Sequence, residues 1–324
     1  MLKRLVNEAR VPVVIENRGP LLIKSGFATV TGPDMAPVVV QRNNRYEEYI
    51  PGSSLKGALR SHFERVAASL AGGRDIVCDP FARYERGRAP NNVNCGNRFQ
   101  EEKKRHDKDK NACRPPNNEE AYRRSCPACR LFGSTWFIGR LSINDAYLAP
   151  ESRARRERRD GVGIDRLTGG SSATAKFDLE VVGAGARFET EVQLRNFECW
   201  QLGALFMLLE DLRDGFIRLG SGRSRGLGDV ACDYTRADVY RIGQTPPGVS
   251  DCQIPGLGCY LSDGAYGTEA DDLLDVGKDG MPDPEQCGVR SRRRFEGERL
   301  QRLRSLAVAR FTSRIAAYDE LERA

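Results

Sequence analysis

The sequence predicts an α+β fold, with one antiparallel sheet and helices packed on one of its faces. Stretches in which apolar and polar residues alternate are typical of half-buried strands, and two stretches with apolar residues at helical spacing are typical of amphipathic helices. Their order along the chain is β-α-insertion-β-loop-β-α-β, if two adjacent strand segments are counted as one bent hairpin. This is the order of a ferredoxin-like core.

The first part of the chain is predicted to form one strand and one helix. Residues 10–17 are rich in β-branched side chains and predict a strand. After a loop rich in glycine and proline, apolar residues between 55 and 70 recur at helical spacing. Ser53 or Ser54 is expected to cap this helix at its N-terminus, and the glycines at 72–73 are expected to end it.

The second part of the chain contains the remaining strands and helices. The predicted strands are residues 139–148, 176–182, 186–197 and 229–241, and the predicted helices are residues 199–216 and 291–324. The strands on either side of the glycines at 183 and 185 are expected to pair with each other. Residues 150–175 predict a loop, and residues 242–290 are irregular and rich in proline and glycine. We therefore expect a core over residues 1–241 and an extension over residues 242–324.

Composition narrows the class of protein. Among 324 residues, 40% are hydrophobic, which is enough for a core and excludes a wholly disordered chain. No apolar run approaches the roughly 18 residues of a membrane span, and the first residues lack the apolar region of a secretory signal. A cytoplasmic protein with no membrane partner is expected, and its ten cysteines then favour metal binding or burial over disulfides.

Arginine clusters indicate a polyanionic partner. The net charge of +6 is small, but arginines concentrate in residues 153–159, 218–225 and 290–304. A guanidinium group can bind a phosphate through two parallel hydrogen bonds, whereas a lysine acts as a point charge. Three such clusters predict contact with a phosphate-rich ligand, although each could also be a solvated surface.

Residues 74–130 are predicted to be an insertion that a zinc ion holds together. The segment is polar, lacks sustained apolar periodicity and carries five cysteines, so bound metal could supply the folding free energy that it lacks. Cys126 and Cys129 form a CxxC knuckle, which is a typical pair of zinc ligands. The candidates for the other two ligands are Cys95 and Cys113, which are favoured, and Cys78 and His106. A redox role would require a thioredoxin-like βαβ context, which the sequence lacks.

A glycine-rich segment over residues 220–228 is a candidate phosphate-binding site. Gly220 and Gly222 would let the backbone approach a ligand closely, and Arg223 and Arg225 add positive charge. The segment is not a Walker loop, because no Gly-Lys-Ser/Thr sequence closes it, and a strand rather than a helix follows. The alternative is a plain turn between a helix and a strand.

The predicted start of the first helix is a second candidate site. Ser53 and Ser54 stand where a helix N-terminus presents unpaired N–H groups, and Lys56 and Arg60 lie in its first turns. Together they could bind a phosphate group. The alternative is that the serines only cap the helix.

Four motifs, in order, resemble those of the RAMP superfamily. They are residues 49–57 (YIPGSSLKG), 126–134 (CPACRLFGS), 163–169 (GIDRLTG) and 219–228 (LGSGRSRGLG). More narrowly, they resemble the backbone subunit of type III CRISPR effector complexes, over about residues 10–240. The resemblance implies a ferredoxin-like, RNA-recognition-motif-like core, copies of which stack along a CRISPR guide RNA beside other RAMP subunits.

The resemblance also assigns roles to residues. An extended hairpin called the thumb, which kinks the guide–target duplex, would come from residues 150–177, and Arg166 would contact RNA. The helix start and the glycine-rich segment would bind guide phosphates, and zinc would sit in the insertion. In that family a loop aspartate cuts target RNA with Mg²⁺ or another divalent ion, and Asp34 stands in the corresponding loop.

Three alternatives stay open. By itself, Asp34 is typical of a turn residue after Pro33. The chain could therefore be an RNA-binding scaffold in which Asp34 is inert. It could also be a repeat-processing endoribonuclease, which commonly uses histidine as acid or base, and the two histidines are His62 and His106. In the extension, Arg292, Arg293 and Arg294 could contact RNA or simply pack on the core.

Overall fold

The computed structural model describes residues 4–25, 33–42, 44–82, 93–262 and 264–318, and for residues 172–175 it describes the backbone alone. The strands are β1 (Asn7–Asn17), β2 (Val39–Arg42), β3 (Arg45–Ile50), β4 (Leu141–Ile143), β5 (Ala146–Leu148), β6 (Arg156–Ile164), β7 (Ser171–Val182), β8 (Arg187–Arg195), β9 (Val230–Asp233), β10 (Arg236–Ile242), β11 (Gln253–Pro255), β12 (Leu273–Asp275), β13 (Glu285–Cys287) and β14 (Arg290–Glu296). The helices are α1 (Gly52–Leu70), α2 (Cys95–Lys108), α3 (Asn118–Arg123), α4 (Pro127–Phe132), α5 (Cys199–Arg213), α6 (Gly277–Gly280) and α7 (Gly297–Ala316). None of the described helices is both long and apolar enough to cross a bilayer.

An antiparallel sheet of ten strands dominates this mixed α/β fold. Its order is β13-β14-β10-β1-β8-β5-β3-β2, and two strands outside this path, β4 and β9, pair with β8 and β1. β1 lies at the centre, because Ala9 stands opposite Leu194 of β8 on one side and Val239 of β10 on the other. The predicted first strand is thus present and begins at Asn7.

The main helices and the sheet share one hydrophobic core. Alternate residues of β1, such as Val11 and Ile15, are fully buried, as expected for a strand with one face covered. On α1, Leu59 and Phe63 are also fully buried, and the ring of Phe63 lies 5.8 Å from that of Phe311 on α7. The helical spacing of apolar residues therefore predicted α1 and its buried face correctly.

The start of α1 differs from the prediction. Neither Ser53 nor Ser54 caps the helix, because the N-cap residue is Pro51 and no side chain bonds from that position. Instead, Gly52 N–H donates to Asp145 Oδ1 at 2.7 Å, so a carboxylate between β4 and β5 satisfies part of the helix end. The same loop interrupts the strand that the sequence predicts over residues 139–148.

The pairing of β7 also differs from the prediction. β7 pairs with β6 in a separate two-stranded sheet, with Arg156 opposite Val182 and Asp160 opposite Asp178, whereas β8 pairs with β1. The expected pairing of residues 176–182 with residues 186–197 is therefore wrong. Alternation of apolar and polar residues identifies a strand but not its partner. Much of the predicted loop over residues 150–175 belongs to this β6–β7 hairpin.

Residues 74–130 contain helices that their periodicity did not reveal. Asn94 caps α2 by accepting hydrogen bonds from the N–H groups of residues 96 and 97, and Asn117 caps α3 in a capping box with Glu120. Asparagine oxygens are good acceptors for the unpaired N–H groups of a helix start. Part of the segment's asparagine content therefore reflects helix capping.

The C-terminal extension is packed into the same core. β14 pairs with β10 along seven residues and so widens the central sheet. α7 packs on α5 at close range: a Cβ added to Gly203 would lie only 1.9 Å from the carbonyl oxygen of Ala307. Asp272 Oδ1 accepts a hydrogen bond from Cys199 N–H at the start of α5. The boundary at residue 241 stays a prediction from sequence.

Candidate metal centre and nucleic-acid interface

Four buried cysteines come together between α1 and the insertion. The Sγ atoms of Cys78, Cys95, Cys126 and Cys129 all lie within 4.8 Å of one another, and all four residues are at most 3% exposed. Cys78 Sγ lies 3.5 Å from the Sγ atoms of both Cys126 and Cys129, and all four thiols are free. The insertion therefore closes around a cluster of sulfur atoms.

The local fold brings these sulfur atoms close together. Cys126 is the N-cap residue of α4, and its Sγ accepts a hydrogen bond from Cys129 N–H at 3.3 Å. Cys95 is the first residue of α2, and its Sγ accepts from Cys126 N–H at 3.4 Å. Both donors stand at the start of α4, so this one helix start supplies the N–H groups that stabilise negative charge on sulfur.

The cluster fits a structural zinc ion. Four sulfurs at about 2.3 Å from one zinc ion would be roughly 3.8 Å apart, close to the measured 3.5 Å separations. All four ligands are thiols, which is the donor set of closed structural sites, and burial leaves no open position for a substrate. Bound zinc would supply folding free energy to the insertion and the positive charge that lets all four thiols ionise.

Arg60 belongs to this cluster. Its guanidinium donates to Cys129 Sγ at 3.5 Å, to the Gly133 carbonyl at 3.0 Å and to Glu64 at 2.8 Å. Burial lowers the pKa of Arg60, but the charge of Cys129 and the hydrogen bond to Glu64 outweigh burial and raise it above the ordinary value. The predicted phosphate ligand Arg60 is therefore already engaged by the knuckle.

Two of the sequence-based ligand candidates lie elsewhere. Cys113 is exposed and is not a member of the group, so the preference for Cys113 over Cys78 is corrected. His106 does not belong to the group either, and its Nδ1 lies 3.1 Å from the Ala112 carbonyl. The spacing of the cysteines in the sequence could not decide which of these residues binds zinc. Only Cys126 and Cys129 are close enough in sequence for one position to restrict the other.

The glycine-rich segment, the hairpin and the Asp34 loop meet at a cavity of about 190 Å³. Its apolar lining is Leu22, Met35, Phe177, Leu179 and Leu227, and its other lining residues are Lys24, Arg159, Asp160, Gly161, Ser221, Gly222 and Arg225. The guanidinium of Arg225 lies 5.5 Å from the centre of the Phe177 ring. Three cations and one carboxylate around an apolar floor suit a ligand that combines phosphate groups with flat rings.

Gly220 lets this cavity form. Its φ is +75°, and an added Cβ would lie 2.2 Å from the Leu22 carbonyl oxygen, which also accepts a hydrogen bond from Ser221 N–H at 2.7 Å. Any other residue would be strained and would push the two segments apart. Arg223, in contrast, is exposed beside the cavity, in a short helical turn.

Asp34 is exposed at the edge of this region. Its Oδ2 accepts a hydrogen bond from Asp178 N–H at 3.0 Å, and its own N–H donates to Asp178 Oδ1 at 3.0 Å. Met35, which follows it, lines the cavity. In the described part of the chain, the cysteine cluster is the only set of three or more potential metal ligands close enough to share an ion. No such set of described residues therefore surrounds Asp34.

Lys56 lines a different cavity, of about 350 Å³. Arg4, Arg140 and Arg195 also line it, and no carboxylate is among its described lining residues. Burial, together with the charge of Arg60, lowers the pKa of Lys56. Leu5, before β1, lines this cavity, whereas Leu22, after β1, lines the other, so the two cavities lie near opposite ends of that strand.

The remaining candidates are distributed over the surface. Ser53 is exposed and Ser54 half-buried at the start of α1. Arg166 is exposed in the hairpin turn, where Asp165 Oδ1 accepts hydrogen bonds from the N–H groups of Leu167 and Thr168. Leu167 beside it is 97% exposed.

His62, a candidate for the endoribonuclease alternative, already has a partner, and so do the three arginines of the extension that could contact RNA. His62 Nε2 lies 2.6 Å from Asp211 Oδ2, which ties α1 to α5. In the extension, Arg292 pairs with Glu285, Arg293 donates to the Pro282 carbonyl, and Arg294 donates to Asp238. These contacts are internal to the molecule.

Sequence comparison adds one match. The family model described as RAMPs, the RAMP superfamily, matches residues 14–231, which is more than half of the chain. The matched residues include the glycine-rich segment and all four cysteines of the cluster. No curated protein matches the chain.

Proposed function

The chain belongs to the RAMP superfamily, which is associated with CRISPR-related RNA-binding proteins that form complexes, and on this premise we propose that it is a guide-RNA-binding backbone subunit of a type III CRISPR effector complex. The single observation that carries the proposal is the cavity in which the glycine-rich segment, the hairpin and the Asp34 loop meet. These three segments are far apart in sequence, and the proposal gives each of them a role on the same ligand.

Two features of the fold support the finer assignment. The strand order β10-β1-β8-β5, with α1 after β1 and α5 after β8, is consistent with a ferredoxin-like, RNA-recognition-motif-like core. The β6–β7 hairpin is joined to the rest near its base, where Val182 bridges to Leu21 and Leu179 packs with Leu22, and it would serve as the thumb. We keep residues 1–241 as the RNA-binding core and residues 242–324 as its extension.

The RNA would be held mainly through its backbone. Gly220 and Gly222 permit close approach to a phosphate, Arg223 and Arg225 add charge, and Ser53, Ser54, Lys56 and Arg166 would contact the strand elsewhere. Phe177 offers an apolar surface for a base. Binding would therefore depend little on base sequence, as a subunit that accepts any guide requires.

Asp34 would cut the target RNA that pairs with the guide. Its Oδ1 has no hydrogen-bond partner among the described residues, so this oxygen is available to orient a 2′-hydroxyl or to help bind Mg²⁺. The attacking 2′-oxygen would form a bond to the adjacent phosphorus, its proton would pass to Asp34 or to water, and the P–O5′ bond would break, with the leaving oxygen taking a proton from water.

A non-catalytic scaffold is the second candidate. It is favoured by the absence, among the described residues, of a carboxylate set around Asp34 that could hold a divalent ion without help from RNA. A repeat-processing endoribonuclease is less well supported, because His62 is paired with Asp211 and His106 lies beside the Ala112 carbonyl in the insertion. Cleavage of precursor guide RNA by the isolated chain would support it.

One experiment separates these functions. The full chain is assembled with guide RNA and given a 5′-labelled complementary RNA with Mg²⁺. Cleavage by the wild type that Asp34→Ala abolishes, with unchanged target binding, supports the catalytic subunit. If the wild type binds the target RNA but does not cleave it, the result supports the non-catalytic scaffold. Failure to bind guide RNA contradicts both the catalytic subunit and the scaffold.

A variant pair tests the binding surface in the same assay. Arg223→Ala with Arg225→Ala should weaken guide binding, whereas Lys108→Ala with Lys110→Ala removes the same charge from an exposed part of the insertion and should not. Equal weakening by both pairs would show that only net charge matters and would contradict the assigned surface.

A further inference from the structure

Asp34 and Asp178 are joined by two reciprocal hydrogen bonds. The N–H of each residue donates to the side-chain carboxylate of the other, and both donor–acceptor distances are 3.0 Å. Asp34 lies in the loop between β1 and β2, and Asp178 lies on β7 of the hairpin. The carboxylate that would cut RNA is thus attached to the hairpin rather than to the central sheet.

The neighbouring backbone strengthens this attachment. Glu180 N–H donates to the Met35 carbonyl at 2.9 Å, and Met35 forms a parallel bridge with Leu179. Arg158 of β6 donates to Asp178 Oδ2 and leaves Oδ1 to the Asp34 N–H. The hydrogen bond from Asp34, together with Arg158, holds the pKa of Asp178 below its ordinary value, so Asp178 stays an acceptor at neutral pH.

The arrangement leaves one oxygen of Asp34 for chemistry. Oδ2 accepts from Asp178 N–H, while Oδ1 has no partner among the described residues, and Asp34 is exposed. A carboxylate with one oxygen fixed by such a hydrogen bond has a defined orientation. An exposed aspartate on a loop would otherwise sample several rotamers.

We propose that Asp178 is a positioning residue for Asp34, so that the hairpin sets where the reactive carboxylate stands against a guide-paired RNA strand. This inference rests on the proposed function. Because the hairpin would touch the RNA and also hold Asp34, the aspartate would follow the hairpin when it engages the duplex.

Single-turnover cleavage provides the first test. The full chain, assembled with guide RNA, receives labelled complementary RNA and Mg²⁺, and target affinity is measured separately without divalent ions. Asp178→Ala should lower the cleavage rate about 10- to 100-fold, since a misplacement of about 1 Å can cost on the order of 10²-fold. Target affinity should stay within about twofold, because binding depends on other residues.

Two further variants separate positioning from general damage. Asp178→Asn keeps the Oδ1 acceptor for the Asp34 N–H and should retain most of the rate. Glu180→Ala is the matched control, because Glu180 lies two residues along the same strand and pairs with Arg156 as Asp178 pairs with Arg158, but the described side-chain hydrogen bonds of Asp34 are made with Asp178 and not with Glu180. It should cleave like the wild type. Equal rates for Asp178→Ala and Glu180→Ala would overturn the inference.

Amide hydrogen exchange tests the attachment without relying on cleavage. The Asp34 amide should exchange faster in Asp178→Ala, and its protection should persist in Asp178→Asn and Glu180→Ala. If the wild type binds target but does not cut it, the proposed catalysis fails, and exchange still decides the attachment. Unchanged protection of the Asp34 amide in Asp178→Ala would overturn the inference even in a subunit that cleaves.

Discussion

At the scale of single residues, the cysteines show how a fold selects among chemically equal candidates. Ten cysteines are present, and four of them lie close enough to share an ion. Cys78 and Cys113 are equivalent by composition, yet only Cys78 packs against the knuckle. The choice depends on how the segment after α1, which carries Cys78, packs against the start of α4, which is a tertiary contact.

Cys78→Ser should therefore lower bound zinc to well below one ion per chain. The remaining three thiols would bind zinc less tightly, and the insertion would lose folding free energy. Cys113→Ser is the control and should bind zinc like the wild type, because Cys113 is exposed and outside the group. Elemental analysis after exchange into metal-free buffer measures both, and equal zinc content in the two variants would contradict the four-cysteine centre.

Gly220→Ala should destabilise the glycine-rich segment by about 1–3 kcal/mol and weaken RNA binding, since it combines a left-handed backbone with a steric clash. The added Cβ would lie 2.2 Å from the Leu22 carbonyl oxygen. Gly226→Ala is matched in φ, at +84°, but nothing lies within 4 Å of its Cβ, so it should cost only about 1 kcal/mol. Chemical unfolding and RNA titration of both variants separate the clash from the strain.

At the scale of secondary structure, the contact between α5 and α7 provides the clearest test. Gly203→Ala should lower the free energy of unfolding by about 1–3 kcal/mol, because the methyl group would overlap the Ala307 carbonyl and separate the helices. Gly57→Ala, in α1, has no atom within 4 Å of its Cβ and should be neutral or stabilise by up to about 1 kcal/mol. Equal effects in chemical unfolding would contradict the close packing.

Sequence patterns predicted the central strands and helices but not the strand partners, and the first residues of the helix predicted over 291–324 form β14 instead. The spacing of Leu59 and Phe63 gave α1, and β-branched residues gave β1, because both patterns follow from burying one face. The same alternation could not decide whether β7 pairs with β6 or β8. The knuckle was visible as a local motif, whereas the contact of Asp34 with Asp178 joins residues 144 positions apart and has no local signature.

At the scale of the whole molecule, the extension belongs to the folding unit. Removing residues 242–324 would uncover the buried face of α5 and the edge of β10. We expect such a truncated chain to aggregate or to lose cooperative unfolding, because an exposed apolar face and an open strand edge promote association. This prediction would be contradicted if the truncated chain stayed soluble and unfolded cooperatively at the same denaturant concentration as the wild type.

Salt dependence tests the electrostatic part of the proposed function for the molecule as a whole. The logarithm of guide-RNA affinity should fall linearly with the logarithm of salt concentration, with a slope of about 0.7 per phosphate contacted. Arg223→Ala with Arg225→Ala should reduce this slope by about 1 to 2. A slope near zero in the wild type would contradict binding through phosphates.

The central position of β1 has a consequence for synthesis on the ribosome. Asn7 pairs with Arg241, 234 residues later, and the other strands that pair with β1 are β8 and β9, so none of its partners exists when β1 leaves the exit tunnel. At about 5–20 residues per second, the strand would wait on the order of 10–50 s before its sheet could close. During that interval its apolar stretch would be a natural substrate for chaperones, and the rate of translation would help to set the yield of native protein.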